Sequence, residues 1–259
     1  LVEAAYSVGS FYFASAHNSN AGYRPKLEIT YSTLVTPTHT PTATATGGVP
    51  DNTPTPTATA TATRTPGAGP TTIILQQGVD AYSGSGGTQV DRYYPTSNYC
   101  TMDTFRVGYK QRYAAFLRFD LSAIPTGSTI VQAAVRLYST AWGGADITAG
   151  AYAILRELDV CQATWNQAST GSLWAVPGAG DPATDRRADA ESVVTTAGPR
   201  QYYDWDLTRA VQQWVSGALA NNGFMLSTGS PTATGMMYFA NVNNVSVDMH
   251  PQMIVTYIP

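Results

Sequence analysis

Residues 9–31 of this chain recur, without a gap, as residues 235–257, and both copies alternate apolar and polar side chains. Gly9, Tyr12, Phe13, Ala14, Asn18, Pro25, Thr30 and Tyr31 face the same residue types at Gly235, Tyr238, Phe239, Ala240, Asn244, Pro251, Thr256 and Tyr257. Leu27 against Met253 and Ile29 against Val255 keep the apolar pattern. A strand, a polar turn and a second strand read as a β-hairpin, and a hairpin needs a sheet, because two strands alone are marginal in water. A single stretch of strand signals follows, and it owns the second copy. The first copy, residues 1–35, is therefore expected to complete another domain. That domain is either an earlier one in a tandem array or a neighbouring subunit, with Tyr12, Phe13, Leu27, Ile29 and Tyr31 as the assembly hairpin.

Between residues 36 and 70 the chain is almost entirely Thr, Pro, Ala and Gly, a composition that cannot build a core. Such a segment is a polyproline-like spacer, a mucin-like stalk with O-linked sugars, or both. Extended at about 3.1 Å per residue, it would reach on the order of 110 Å. Thr38, Thr40, Thr42, Thr44, Thr55, Thr57, Thr59, Thr61 and Thr63 are the candidate O-glycosylation sites. From Thr57 to Thr63 every second residue is Thr with Ala between, so an extended chain presents its threonines on one side.

Residues 71–259 carry short apolar runs separated by Gly, Pro, Ser, Asn or Asp. Strands are expected at 73–75, 104–107, 114–119, 129–138, 147–155, 201–206, 224–227 and in the final hairpin. That rhythm predicts an all-β, two-sheet sandwich. One segment departs from it. Leu207, Ala210, Val211, Trp214 and Val215 share a helical face, Asp206 or Thr208 can cap its start, and Gly217 can end it.

The charged fraction is 12%, about half the globular norm, and the formal net charge is -3. Neither a basic cluster for nucleic acid nor an apolar run long enough to insert in a membrane is present. No basic-then-apolar leader opens the sequence. Cys100 and Cys161 either pair, closing a loop of roughly 60 residues, or stay as separate small buried thiols.

Candidate chemistry is sparse. His17, His39 and His250 stand at no metal-ligand spacing from a Cys or carboxylate, and no nucleophile with a paired base can be assembled. The chain is accordingly expected not to be an enzyme. Asp204 and Asp206 flank Trp205, and Asp181, Asp185, Asp189 and Glu191 crowd one Gly/Pro loop in which Arg186 and Arg187 compensate them. Asp181 and Asp185 are a candidate calcium pair, supplying the hard oxygens that ion prefers, although the spacing matches no EF-hand loop. With 16 tyrosines and five tryptophans the domain has rings beyond those a core needs. Tyr93, Tyr94, Tyr99, Tyr109, Trp142, Tyr202 and Tyr203 lie among Gly, Ser, Asn or Arg, where rings tend to be exposed. Trp142, Tyr202 and Tyr203 are the candidate contacts to a sugar or a protein partner.

Several phrases, in order, resemble the DNRLRE family of jelly-roll domains, found outside bacterial cells and related to some carbohydrate-binding modules. They are Asp80-Ala-Tyr82, Asn98-Tyr-Cys100 leading to Arg106-Val-Gly108, Arg118-Phe-Asp-Leu-Ser-Ala-Ile-Pro125, Arg136-Leu-Tyr138, Thr164-Trp-Asn166, Trp205-Asp-Leu207 with Val211 and Trp214, and Asn222-Gly-Phe224. Asp80-Ala-Tyr82 resembles that family's opening strand. The resemblance implies a jelly-roll sandwich at the cell surface or in the extracellular space and leaves activity open. Combined with the repeat, it gives a first functional expectation: a non-catalytic subunit of a glycosylated surface fibre, assembled with identical domains by hairpin complementation. The alternative is a carbohydrate-binding module tethered to a larger secreted enzyme that acts on polysaccharide. If the linker threonines carry O-linked sugars, the intact secreted chain will weigh more than its 27.5 kDa polypeptide; a mass equal to the polypeptide would exclude them.

Overall fold

A computed structural model describes residues 69–259; the expected assembly hairpin and the linker threonines lie outside that range. Among the described residues, thirteen strands follow in chain order. They are β1 (Thr71–Gln76), β2 (Ser85–Asp91), β3 (Thr104–Gly108), β4 (Tyr113–Phe119), β5 (Thr129–Trp142), β6 (Thr148–Ala153), β7 (Gln167–Ser169), β8 (Ser172–Leu173), β9 (Ser192–Thr195), β10 (Tyr202–Asp206), β11 (Phe224–Thr228), β12 (Met236–Ala240) and β13 (Gln252–Ile258). One short helix, α1 (Thr208–Val215), lies between β10 and β11. All strand pairs are antiparallel, and the main sheet curls on itself as the expected all-β sandwich.

The long strand β5 joins the layers. Residues 129–136 pair with β13, residues 134–138 with β10, and residues 139–142 with β12. One layer is β1-β13-β5-β10; the other runs from β12 through β3 to β4, then β11, β6 and β9, with β2 on the far side of β4. A register shift at Thr256/Tyr257 lets Ile130 and Ala133 both turn inward, followed by Val135 and Leu137 at period two. Trp205 is fully buried between the layers, and its Nε1 donates to the Ala149 carbonyl of β6 at 2.9 Å, so the indole spans the core without an orphaned donor. Phe239 meets Trp205 nearly edge-on at 5.8 Å.

Helix α1 forms where its apolar period predicts. The Asp206 carboxylate accepts from the Thr208 amide at 2.7 Å, and Gly217 follows the helix at φ 73°. Ala210, Val211 and Trp214 are buried. On β5 the Ile130 amide donates to Gln212 Oε1 at 2.8 Å and the Ala133 amide to Thr208 Oγ1 at 2.9 Å. Helix side chains thus satisfy strand donors that β10 does not reach.

Strand β4 is buried on both faces. Ala115, Leu117 and Phe119 enter the main core, whereas Ala114 and Phe116 join a second core with Val90, Met225 and Ile154. Residues 155–185 cover that second face, contributing Leu158, Ala163, Ala168, Trp174 and Ala179. The Asn98 amide donates to the carbonyls of Val160 and Ala163, and Cys100 is bonded to Cys161. At the base of the cover, the Leu155 amide donates to the Asp185 carbonyl at 2.9 Å. The Asp185 carboxylate is wholly buried and accepts from Arg156 Nε and from the amides of Ala175, Val176 and Asp181. Burial pushes its pKa up, but those donors outweigh it and hold the group below the usual carboxylate range.

Two expectations are corrected. Residues 235–257 do not form a hairpin: β12 and β13 lie one after the other along β5 and do not pair with each other. Their connection is a tied corner, because buried Asn241 donates to the carbonyls of Gly87 and Met102, and both ring nitrogens of buried His250 meet carbonyls, of Gln77 at 2.9 Å and Asn244 at 2.7 Å. Asp80-Ala-Tyr82 is a turn rather than an opening strand, with Asp80 and Ala81 at φ 48° and 62°.

The disulfide closes a separation of 61 residues, which in the chain-entropy account stabilises the fold by about 4 kcal/mol. Urea unfolding with and without reductant should differ by about that amount; coincident curves would overturn the assignment. Asp185→Asn removes the charge that Arg156 faces and turns an N–H2 toward amide donors, so it should cost about 2–3 kcal/mol at neutral pH. Because the folded pKa is depressed, this contribution is complete above about pH 4 and is lost as pH falls further. Wild-type and variant stabilities should therefore converge in acid, and curves that stay parallel would refute the account.

Candidate functional site

The two outer faces of the sandwich differ. The cover of residues 155–185 closes the β2-β4-β11-β6 face, and the exposed aromatic side chains belong to other segments. The densest group stands at the Asp91/Tyr113 end of the β2-β4 ribbon.

Its geometry starts from one buried charge. Asp91 ends β2, and its carboxylate is only 2% exposed. Arg112 meets it with two hydrogen bonds, Nε to Oδ1 and Nη2 to Oδ2, each 2.8 Å. Donating those hydrogen bonds to Asp91 raises the Arg112 pKa, so the guanidinium is always charged. The Asp91 Oδ1 atom also accepts from the Tyr93 amide at 2.8 Å, which folds the following turn and brings Tyr93 and Tyr94 beside the ribbon.

Arg112 is delivered by a strained turn. After Gly108, the residues Tyr109, Lys110 and Gln111 have φ of 53°, 55° and 58°, a left-handed run that costs side-chain-bearing residues on the order of 1–3 kcal/mol each. Neighbouring backbone holds it: the Tyr109 amide donates to the Gly235 carbonyl and the Lys110 amide to the Ala233 carbonyl, both at 2.7 Å.

From Arg112 a ladder of rings and cations extends inward. Its Cζ lies 4.4 Å from the Tyr93 ring centroid, 5.8 Å from Tyr94 and 4.7 Å from Tyr113. Arg106 Cζ lies 4.4 Å from Tyr113 and 5.9 Å from Tyr238, so Tyr113 receives two guanidiniums. Burial raises the Tyr113 pKa, which keeps it a neutral phenol. Gln89 Oε1 accepts from the Arg106 amide at 2.9 Å and from its Nε at 3.1 Å, and buried Gln89 Nε2 has no partner among the described residues. The outer rungs face solvent, Tyr93 at 63% and Tyr94 at 58% exposure. Arg112 Nη1 makes no protein hydrogen bond among the described residues. The arrangement offers flat apolar ring faces beside a fixed donor, suited to the C–H face and the hydroxyls of a sugar ring.

The residues expected to contact a partner are not brought together. Trp142 ends β5, half-exposed and paired with Met237. Tyr202 is half-exposed on the outer face of the other layer, packed edge-on against Tyr138 at 5.0 Å, with its hydroxyl donating to the Asp248 carbonyl. Tyr203 is core: it is 8% exposed, and its hydroxyl meets the Ala197 amide at 2.7 Å and the Gly198 carbonyl at 2.5 Å. Successive residues of a strand point to opposite faces, so exposing Tyr202 buries Tyr203.

The chemistry around Asp181 and Asp185 does not fit calcium. Asp181 Oδ1 accepts from the amides of Ala183 and Thr184 and from the Thr184 hydroxyl, and those amide donors hold its pKa low. With Asp185 ringed by N–H groups and Arg156, the loop already holds the positive partners that an ion would replace. Among the described residues no three His, Cys, Asp or Glu side chains are grouped to hold a metal.

Sequence reading singled out Tyr93 and Tyr94 as exposed rings but missed Asp91, Arg106, Arg112, Tyr113 and Tyr238. The basic turn Tyr109-Lys-Gln-Arg112 was the available signal; the contacts themselves are set by long-range pairing of β2, β4, β3 and β12. The sequence profile of carbohydrate-binding module family 96 matches residues 80–257, which include every rung of the ladder. No curated protein matches the chain.

Proposed function

The chain belongs to carbohydrate-binding module family 96, and from that premise we propose that residues 71–259 are a non-catalytic module that holds polysaccharide against the tyrosine–arginine ladder. The observation that carries this reading is the pair of exposed rings, Tyr93 and Tyr94, fixed over an Arg112 that is itself locked to buried Asp91. A sugar ring would stack on Tyr93 or Tyr94 while Arg112 Nη1 donates to a hydroxyl. Preorganisation does the rest, since a guanidinium held in place loses little freedom on binding.

Residues 36–70 then serve as an O-glycosylated tether to the remainder of a larger secreted protein, with residues 1–35 as part of a neighbouring module. An extracellular or cell-surface setting agrees with the family and with the Cys100–Cys161 bond. No helix among the described residues is long and apolar enough to cross a membrane. Carbohydrate binding is favoured here over the surface-fibre reading, because the family match supports the first and offers nothing for the second.

Affinity electrophoresis and pull-down against a panel of soluble and insoluble polysaccharides should find at least one that retains the protein. For that ligand, Tyr93→Ala and Tyr94→Ala should each weaken binding about tenfold with little change in thermal midpoint. Arg112→Lys should weaken it too, because a point charge cannot keep both the Asp91 fork and a sugar contact. Retention by no polysaccharide, or retention indifferent to Tyr93 and Tyr94, would refute the proposal.

A further inference from the structure

In the main sheet four strands have a single partner among the described residues: β1 on β13, β2 on β4, β9 on β6 and β10 on β5. An edge strand with open backbone groups invites pairing by any chain, and proteins blunt such edges. Strand β2 is buried from Gly87 to Asp91, β9 has only four residues, and β10 exposes Asp204 and Asp206. Strand β1 has none of these protections. It reads Thr-Thr-Ile-Ile-Leu-Gln, without charge or proline, and Ile74 is 53% exposed. Among the described residues the backbone of Thr71–Leu75 bonds to β13 alone. Every second amide and carbonyl of an antiparallel edge strand points away from its partner, so β1 presents an open half-ladder.

The sequence just before β1 matches that edge. Exposed Gly69 and Pro70 lead directly into Thr71. Upstream, residues 57–65 contain no proline and lie between Pro56 and Pro66. Proline cannot donate to a ladder, so these two bound a window of strand length. Threonine favours extended backbone, and the Thr/Ala alternation of residues 57–63 is unbroken, whereas the shorter one at residues 42–46 runs into Gly47-Gly48. Pro66-Gly-Ala-Gly69 has the composition of a reversing loop. With residues 66–69 as that loop, Thr63 stands opposite Thr72 and Thr61 opposite Ile74, on the outer face. Ala62 and Ala60 then stand opposite Ile73 and Leu75, on the core side. The neighbours suit that register. Leu75 is buried and Ile73 packs on the main core, so the small apolar side chains fall where room is short. Thr72 and Thr256 share a hydroxyl hydrogen bond at 2.8 Å, and Thr63 continues their row. Arg64 falls beside exposed Thr71 at the strand end.

We propose that residues 57–63 pair antiparallel with β1 as an added edge strand of the same chain, alanines toward the core and threonines outward. Through so short a connection the effective concentration is on the order of millimolar, so a pairing too weak for a separate peptide still forms. The free tether then shortens to residues 36–56, which reach on the order of 65 Å at about 3.1 Å per residue. Sugars carried by Thr57, Thr59, Thr61 and Thr63 stand on the outer face. The inference is independent of what the ladder binds.

The test is amide hydrogen exchange of the full chain, read residue by residue by NMR. The β1 amides that face away from β13 should exchange at least about tenfold more slowly than unpaired amides. Thr61→Pro with Ala62→Pro should abolish that protection, since one of two adjacent residues aims its N–H at β1. The amides that β1 shares with β13 should stay protected in this variant, which shows that the domain is still folded. Thr44→Pro with Ala45→Pro, in the shorter Thr/Ala run, should change nothing. Outward amides that exchange freely in the wild type, or that stay protected in Thr61→Pro with Ala62→Pro, would overturn the inference. So would protection that falls on dilution, which would give the edge to a second copy of the chain. Thr61→Cys with Ile74→Cys should cross-link on mild oxidation; cross-linking through Ala62→Cys with Ile74→Cys instead would overturn the assignment of alanines to the core side.

Discussion

Burial of β4 on both faces is the constraint from which the rest of the domain follows. A strand reading Tyr-Ala-Ala-Phe-Leu-Arg-Phe cannot leave its second face in water, because Phe116 and its neighbours Val90 and Met225 would each forfeit about 1.5–3 kcal/mol of burial. The cover of residues 155–185 removes that cost. Having little regular structure beyond the short β7–β8 pair, it needs fixed points, and the Cys100 bond, the Asn98 amide and the Asp185 clasp supply them. The apolar run is interrupted at Arg118, the strand's one exposed residue. It begins at Tyr113, and there the ladder stands.

Not every arginine–carboxylate pair in the domain matters equally. Arg136 and Asp204 form the same two-bond fork as Arg112 and Asp91, but their side chains are about half in water, where such a pair is worth roughly 0–1 kcal/mol. Asp91 is almost fully buried, so removing its partner would strand a charge at a cost of about 3–5 kcal/mol. That difference makes Arg112 a fixed platform for Tyr93 and Tyr94 and leaves Arg136 an ordinary surface group. Rigidity is what a weakly charged module needs from a binding site, because ordering loose side chains would consume much of the small energy available from one or two stacked rings.

Local pattern made most strands legible, since β3, β4, β5, β10 and β11 each carry a clear apolar run, and the helix announced itself through its period, although its N-cap is Leu207 rather than Asp206 or Thr208. Strand β2 escaped because Ser-Gly-Gly-Thr-Gln-Val-Asp has little β propensity; it is a strand because β4 pairs with it along its whole length. Tyr202 and Tyr203 could not be told apart without knowing which face of β10 meets the core. The ladder was hidden for a related reason. Its rungs come from residues scattered between Gln89 and Tyr238, and no window of sequence contains both a guanidinium and the rings it serves except the turn before Tyr113.

The repeated segment shows how far period-two alternation reaches. It tells correctly that residues 236–240 and 252–258 are strands and says nothing about what they pair with. In the fold each lies against β5, and the eleven residues between them are a corner held by Asn241 and His250 rather than a turn between partners. Assembly by hairpin exchange presupposes two strands that travel together because they bond to each other. Strands whose hydrogen bonds all go to β5, β3 and β1 form no such unit. Donating them would mean breaking four strand ladders and their corner, and the recipient would have to supply a β5 of its own. The pairing of residues 235–257 therefore supplies no motive for a fibre built on that exchange.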